Sequence, residues 1–185
     1  LWAKDEDRGD KHEYTLVDKK GNEVKDPNFE IRDNVIVVRD GHQLNYEASA
    51  TQELYVRVTD SAGASIIKAV EINIGDANDA PVDLQISGDR VSEDAEAGTV
   101  VGKLWAKDED RGDKHEYTLV DKKGNEVKDS NFEIRDNVIV VREGHQLNYE
   151  TSATQELYVR VTDSAGASFV KAVAINISDA NEAPI

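Results

Sequence analysis

The chain contains two nearly identical copies of one sequence. Residues 1–82 recur as residues 104–185 with nine substitutions, whereas residues 82–103 have no counterpart in the first copy. Near-identity over this length indicates a duplicated domain, because the period is too long for a solenoid repeat. We therefore predict an incomplete domain at residues 1–81, with a linker at 76–81, and a complete domain at 82–185, which ends in a second linker motif at 179–184.

Short apolar segments with a period of two predict strands throughout the second copy. The positions expected to face the core are Val100, Leu104, Ala106, Tyr117, Leu119, Phe132, Ile134, Ile139, Val141, Leu157, Val159, Val161, Val173, Ile175 and Ile177. Turns rich in Gly, Asn and Asp separate these segments, and no helical period is evident. About seven strands per copy predict an all-β fold of tandem Greek-key β-sandwiches, with the first copy lacking its N-terminal strand segment.

The composition excludes several classes of function. The 38 acidic and 22 basic residues leave a formal charge of −16, which argues against a nucleic acid as partner. The absence of cysteine excludes disulfides and thiolate metal sites. No apolar run is long enough to span a bilayer and no secretory signal opens the chain, so we expect no membrane insertion and any export signal to lie outside this sequence.

Oxygen-bearing side chains gather where the predicted strands end. Hard divalent cations need six to eight oxygens at one point, and loops at strand ends can bring such side chains together. In the second copy the candidate ligands are Glu93, Asp108, Asp110, Asn148, Glu150, Asp163, Asp179, Asn181 and Glu182. The alternative for any one of these acidic turns is a solvated surface loop. An EF-hand is disfavoured, because the twelfth position from Asp108 is Leu119 rather than a glutamate.

An ordered series of motifs resembles the cadherin domain. The series comprises Val-Ser-Glu-Asp at 91–94, Gly-Thr-Val-Val-Gly at 98–102, Asp-Glu-Asp at 108–110, Leu-Asn-Tyr-Glu at 147–150, Arg-Val-Thr-Asp at 160–163 and Asp-Ala-Asn-Glu-Ala-Pro at 179–184. The sequence is particularly similar to bacterial cadherin-like repeats of secreted adhesins, among them the rhizobial adhering (Rap) proteins. That resemblance implies cadherin-like sandwiches, bound Ca²⁺ and an association with acidic exopolysaccharide.

The resemblance also implies a calcium site at the central junction. Matched motif by motif, its ligands are Asn45, Glu47, Asp76, Asn78, Asp79, Asp108, Asp110 and Asp163, and Asp60 is the counterpart of Asp163 in the first copy. The junction is one residue shorter than in animal cadherins, and Asn45 and Asn148 replace a usual aspartate. We therefore expect fewer ions per junction. The set of Asn78, Asp108, Asp110 and Asp163 is complete.

A tryptophan between two lysines suggests a sugar-binding platform. If Leu104 faces the core, Trp105 points outward with Lys103 and Lys107 on the same face, and Trp2 and Lys4 repeat the arrangement in the first copy. An exposed aromatic ring beside cations suits stacking on a sugar while pairing with its carboxylates. The alternative is that cross-strand neighbours such as Val138 or Val140 cover the ring.

These features favour a binding module over an enzyme. The four histidines show no metal spacing and accompany no nucleophile elbow or phosphate loop, and the acidic residues cluster as a cation would require. The sequence predicts a calcium-dependent polysaccharide-binding, lectin-like module of a secreted bacterial adhesin in biofilms, extracellular or at the cell surface. We expect a monomer or weak self-association. The alternatives are a calcium-stiffened spacer and a protein–protein adhesion module.

Overall fold

The computed structural model describes residues 1–6 and 9–181 and separates the chain into two compact units. Unit 1 is Leu1–Ala77 and unit 2 is Asn78–Ile185. Residues 78–81, which the repeat alignment assigns to the first copy, therefore group with unit 2. No helix long and apolar enough to cross a membrane occurs among the described residues.

All regular elements of the described chain are strands. Those of unit 1 are β1 (Glu13–Val17), β2 (Phe29–Arg32), β3 (Val35–Val38), β4 (Thr51–Thr59) and β5 (Ser65–Asn73). Those of unit 2 are β6 (Asp83–Ile86), β7 (Arg90–Ser92), β8 (Val100–Lys107), β9 (Glu116–Val120), β10 (Phe132–Arg135), β11 (Val138–Val141), β12 (Thr154–Thr162) and β13 (Ser168–Ser178).

Unit 2 is a sandwich of two four-stranded sheets. One sheet has the order β10-β11-β8-β6 and the other β7-β13-β12-β9. All pairs are antiparallel except β13 with β7, which is parallel. The N-terminal strand segment predicted from the sequence contains two short strands, β6 and β7. Each of them belongs to a different sheet. The buried side chains between the sheets form one core, and the prediction of an all-β Greek-key fold is confirmed.

A β-bulge in β8 changes which side chains of that strand face the core. The register between β8 and β11 pairs Ile139 with Gly102 but Val140 with Val100, so Val101 is an extra residue. An inserted residue reverses the alternation on one side of a bulge. The prediction that Val100 faces the core is therefore wrong. Val100 is exposed and Val101 is buried, whereas Leu104 beyond the bulge faces inward as expected.

Unit 1 has a three-stranded sheet, β1-β4-β5, and a two-stranded sheet, β2-β3. Among its described residues there is no counterpart of β6, β7 or β8. A smaller core remains, in which Leu16, Phe29, Leu54 and Val56 are buried together. The described residues of unit 1 thus include no strand in the place of the N-terminal segment of unit 2.

Candidate calcium site and exposed tryptophan strand

The first candidate site lies at strand ends within unit 2. Asp108 directly follows β8, Asp163 directly follows β12, and Asn78 lies in the segment before β6. Asp110 belongs to the loop between β8 and β9. We call these four residues the Asp108 group. Asp108 and Asp163 are placed there because a strand with inward-facing residues ends just before each of them.

Short hydrogen bonds join the members of the Asp108 group. The side-chain Nδ2 of Asn78 donates to Oδ2 of Asp163 at 2.9 Å. The next residue, Asp79, donates its backbone N–H to Oδ2 of Asp110 at 2.9 Å. Asp110 in turn donates its backbone N–H to Oδ1 of Asp108 at 3.1 Å. The structure thus brings together the four residues that the sequence analysis grouped as a complete set.

Asp163 is a buried carboxylate held entirely by neutral donors among its described contacts. Its Oδ1 accepts the backbone N–H of Ala167 at 2.7 Å and of Ala165 at 3.0 Å, which closes the turn between β12 and β13. The hydrogen bond from Asn78, assisted by these backbone donors, lowers the pKa of Asp163 against the effect of burial. Asp163 is therefore an anion in the folded unit.

The described lysine and arginine salt bridges involve other carboxylates, such as Asp83 with Lys171 and Glu126 with Arg160. Hydrogen bonds link the three aspartates and the asparagine of the Asp108 group, and none of the described lysine or arginine salt bridges involves these carboxylates. Oxygen donors of this kind are the ligands that Ca²⁺ prefers, and water or further loop oxygens can complete its coordination. The residues present thus fit calcium.

Sequence analysis missed two neighbours of this group. Nε2 of His115 lies 2.7 Å from Oδ2 of Asp108. Asp113 accepts the backbone N–H of Ser164 at 3.2 Å, and hydrogen bonds from the Ser164 side chain and from the backbone of Lys114 and Ser164 lower the pKa of Asp113. Potential ligand atoms of Asp108, Asp113 and His115 lie within 4.8 Å of one another. The contact between His115 and Asp108 was not predicted, because its only signal in the sequence was a spacing of seven residues.

A second group of predicted ligands surrounds Glu93. Carboxylate oxygens of Glu93, Glu150 and Asp179 lie within 4.8 Å of one another. Glu93 accepts the backbone N–H groups of Tyr149 and Ala180, each at 2.7 Å, which ties the segment after β7 to two other loops. We call this the Glu93 group.

The remaining predicted ligands near the Glu93 group have different positions. Asn148 uses Oδ1 to accept the backbone N–H of Thr151 at 2.6 Å, so its side chain shapes the turn before β12. Asn181 is exposed at the end of the described chain. Glu182 lies outside the described residues. Their role as ligands stays a prediction.

Trp105 lies on the outer face of β8. Its neighbour Leu104 is completely buried, whereas Trp105 is 43% exposed and Lys103 and Lys107 are exposed beside it. The residue opposite Trp105 on β6 is Gln85. Val138 is paired with Lys103, and β11 does not extend alongside Trp105. Val138 and Val140 thus do not lie directly opposite Trp105, and the sugar-binding role of this face stays a prediction.

Residues 90–178 match the cadherin domain. The matched region runs from β7 to the end of β13 and contains Glu93, Asp108, Asp110 and Asp163. The cadherin match thus includes carboxylates of both candidate groups.

Individual relatives support the cadherin fold. The chain is 27% identical to Cadherin-4 of Caenorhabditis elegans over 141 residues, which are 75% of this chain and 3% of that protein. The chain therefore spans only a small part of that cadherin relative. None of these matches tests the resemblance to rhizobial adhering proteins.

Solved cadherin structures share the architecture of the chain. Domains 1–4 of protocadherin gamma B7 align with a TM-score of 0.64 at 23% identity, covering 91% of this chain and 42% of that one. Domains 22–24 of mouse cadherin-23 align at 0.60 with 24% identity, covering 91% and 54%. Human mucin-like protocadherin domains 1–2 align at 0.54 with 19% identity, covering 91% and 85%.

Two of the ligands predicted in unit 1 lie in turns beside β4. Asn45 accepts the backbone N–H of Ala48 in the turn before β4, and Asp60 accepts that of Ala64 at 2.8 Å after β4. Glu47 is partly buried and Asp76 is exposed. Their contribution to a calcium site stays a prediction.

Trp2 does not repeat the arrangement of Trp105. Residues Leu1–Asp5 form no strand, and Trp2 is 83% exposed. The positions of residues 104–107 in the cadherin-like unit 2 depend on pairing with β6, for which unit 1 has no described counterpart. The expectation that Trp2 and Lys4 form a second platform on a sheet face is therefore wrong.

Proposed function

We propose that this chain is a calcium-dependent polysaccharide-binding module of a secreted or cell-surface adhesin. The observation that carries the proposal is the Asp108 group, in which hydrogen bonds link three aspartates and an asparagine in the loops of a cadherin-like sandwich. In this proposal Asn78, Asp108, Asp110 and Asp163 bind Ca²⁺. The ion supplies positive charge that offsets carboxylate repulsion and fixes the loops.

The Glu93 group provides the oxygens for a second calcium ion in unit 2. Glu93, Glu150 and Asp179 contribute three carboxylates, and the bonds from Tyr149 and Ala180 orient Glu93. Clustered carboxylates repel one another at neutral pH, so a divalent cation stabilises their proximity. Because such a cation binds the folded unit and not the unfolded chain, it raises the unfolding temperature by mass action.

The calcium proposal is tested by replacing both Asp108 and Asp110 with alanine. We expect calorimetric titration of the whole chain with calcium to show at least a tenfold loss of calcium affinity for one class of sites. The matched control is Asp121→Ala, which removes a carboxylate that only closes a turn with Asn125 in the same unit. Unchanged calcium stabilisation of the double variant would remove the assignment of this site.

The polysaccharide proposal is supported by the outer face of β8. Trp105 offers an exposed indole, and Lys103 and Lys107 extend on the same side. Indole rings stack on sugars, and ammonium groups pair with uronic carboxylates. The net charge of −16 opposes an acidic ligand, so calcium bridging between protein and sugar carboxylates is part of the proposal.

Titration with an acidic exopolysaccharide tests this part of the proposal. Only two tryptophans are present, so a saturable fluorescence change that requires calcium reports sugar binding near one of them, and loss of that binding in Trp105→Ala, measured by calorimetry, supports sugar binding on β8. Trp2→Ala is the matched control and should retain binding, because Trp2 is not held on a sheet. Full retention of binding in Trp105→Ala would exclude the platform.

A protein–protein adhesion module is the second candidate, favoured by the cadherin match of residues 90–178. It predicts calcium-dependent self-association in sedimentation velocity without a response to polysaccharide. A chain that binds calcium, stays monomeric and ignores polysaccharide would instead be a stiffened spacer.

A further inference from the structure

We propose that His115 is a positioning residue for the calcium ligand Asp108. This inference rests on the proposed calcium site of the Asp108 group. It concerns a side chain that was not among the predicted ligands.

The contact is specific in geometry and location. Asp108 directly follows β8, and His115 directly precedes β9. The loop between them turns at Gly112, whose φ is 87°. The loop is fastened to the β12–β13 turn through Asp113 and Ser164. As a result Nε2 of His115 meets Oδ2 of Asp108 at 2.7 Å.

Burial makes this contact consequential for the carboxylate. The side chain of Asp108 is only 4% exposed, and that of His115 is 14% exposed. A buried carboxylate needs hydrogen-bond donors in place of water. His115 serves Oδ2, and the backbone N–H of Asp110 serves Oδ1 at 3.1 Å. Both oxygens are thereby fixed in direction.

Fixing both oxygens leaves the carboxylate able to bind a cation. Each carboxylate oxygen has more than one lone pair, so an oxygen that accepts one hydrogen bond can still coordinate calcium. Hydrogen bonds from outside the ligand set orient ligands and strengthen metal binding. With Nε2 as the donor, His115 holds Asp108 in one rotamer before calcium arrives, which lowers the ordering cost of binding.

A pair of substitutions tests the role of Nε2. His115→Gln keeps an N–H donor at about the reach of Nε2, whereas His115→Ala removes it. We expect His115→Ala to weaken calcium binding roughly tenfold in calorimetric titration, and His115→Gln to restore affinity to within about threefold of the parent chain. The matched control is His145→Ala, because Nδ1 of His145 contacts the carbonyl of Arg142 instead.

A double-mutant cycle assigns the effect to Asp108. In an Asp108→Asn background, His115→Ala should change calcium affinity less than twofold, because the carboxylate that it positions is gone. Ring ¹⁵N shifts should show Nε2 protonated with and without calcium. If His115 had only a structural role, His115→Ala would lower the stability of the calcium-free chain but leave the calcium affinity of the folded chain unchanged.

Different outcomes overturn different claims. If the parent chain binds calcium and His115→Ala binds equally well, only the positioning role fails. The role also fails if His115→Gln is as weak as His115→Ala, or if Nε2 loses its proton and binds the ion directly. If the parent chain shows no calcium binding that Asp108→Asn weakens, the proposed calcium site fails together with this inference.

Discussion

Units 1 and 2 carry nearly the same sequence but bury it differently. Leu104 is 0% exposed in unit 2, and its counterpart Leu1 is 40% exposed. Val141 is likewise buried whereas its counterpart Val38 is exposed. In unit 2, β8 pairs with β11 and supplies Leu104 to the core. The comparison shows that burial at these positions depends on strands remote in sequence.

The edges of the sheets differ for the same reason. Strand β13 reaches Ser178, where Asn176–Ser178 pair with β7, but β5 ends at Asn73. Among the described strands, β3 pairs only with β2, whereas β11 lies between β10 and β8. Unpaired edges and exposed apolar side chains lower stability, so we expect unit 1 to be the less stable unit.

The largest expected contrast is between two identical substitutions. Leu104→Ala should destabilise unit 2 by about 3 kcal/mol, because it leaves a cavity in the core. Leu1→Ala should change the stability of unit 1 by less than about 0.5 kcal/mol, because that side chain is exposed. Native-state hydrogen exchange in the whole chain, read at β12 and β4, separates the two units. Equal losses would refute the contrast in burial.

The next effect concerns the close approach of β8 to the end of β6 and the residues that follow it. A Cβ on Gly102 would lie 2.3 Å from the carbonyl oxygen of Gly88 and 2.7 Å from Cγ1 of Ile86. Gly102→Ala must therefore shift backbone and should cost unit 2 about 2 kcal/mol. Gly75→Ala is the control, because its Cβ meets nothing within 4 Å. A stable Gly102→Ala variant in chemical denaturation would contradict this close approach.

An intermediate effect is expected from restoring the strands to unit 1. A synthetic peptide with the sequence of residues 83–107 should bind the edge of β3, since β3 and β11 have the same sequence. At tenfold excess over its Kd, the peptide should stabilise unit 1 by about 1.4 kcal/mol. Slowed exchange of the Val35–Val38 amides would show the binding site. A scrambled peptide is the control, and protection confined to β11 would argue against completion of unit 1.

The smallest effect belongs to a surface ion pair that unit 2 alone contains. Nζ of Lys171 lies 2.8 Å from Oδ1 of Asp83 and lowers its pKa, whereas the equivalent Lys68 has no such aspartate in the described residues of unit 1. A lowered folded-state pKa adds stability above the unfolded-state pKa, and this is lost as pH falls through the folded-state value.

Lys171→Met should therefore slightly lower the unfolding temperature of unit 2 at pH 7. The difference from the parent chain should shrink as pH falls through the folded-state pKa of Asp83. Lys68→Met is the control and should have no comparable pH-dependent effect. A difference that persists undiminished at low pH would show that Asp83 is not its source.

Much of the fold and the first candidate site follow from local sequence. Alternating apolar residues predict the strands, and turn glycines such as Gly112 and Gly166 do adopt positive φ. Asp108, Asp110 and Asp163 were predicted as oxygen donors because strand ends at one edge of a sandwich lie close together, whereas Asn78 was added by the resemblance to cadherin motifs. These features depend on short-range periodicity and on residue chemistry.

Tertiary structure decided the remaining features. The bulge that buries Val101 depends on the register with β11, and the exposure of Trp105 depends on Gln85 lying opposite it. The Asp108–His115 bond depends on a loop path fastened by Ser164. The sequence by itself determined the two copies, most of their strands and the oxygen-bearing side chains at the strand ends. Only packing decided register, facing and burial, because these depend on partners distant along the chain.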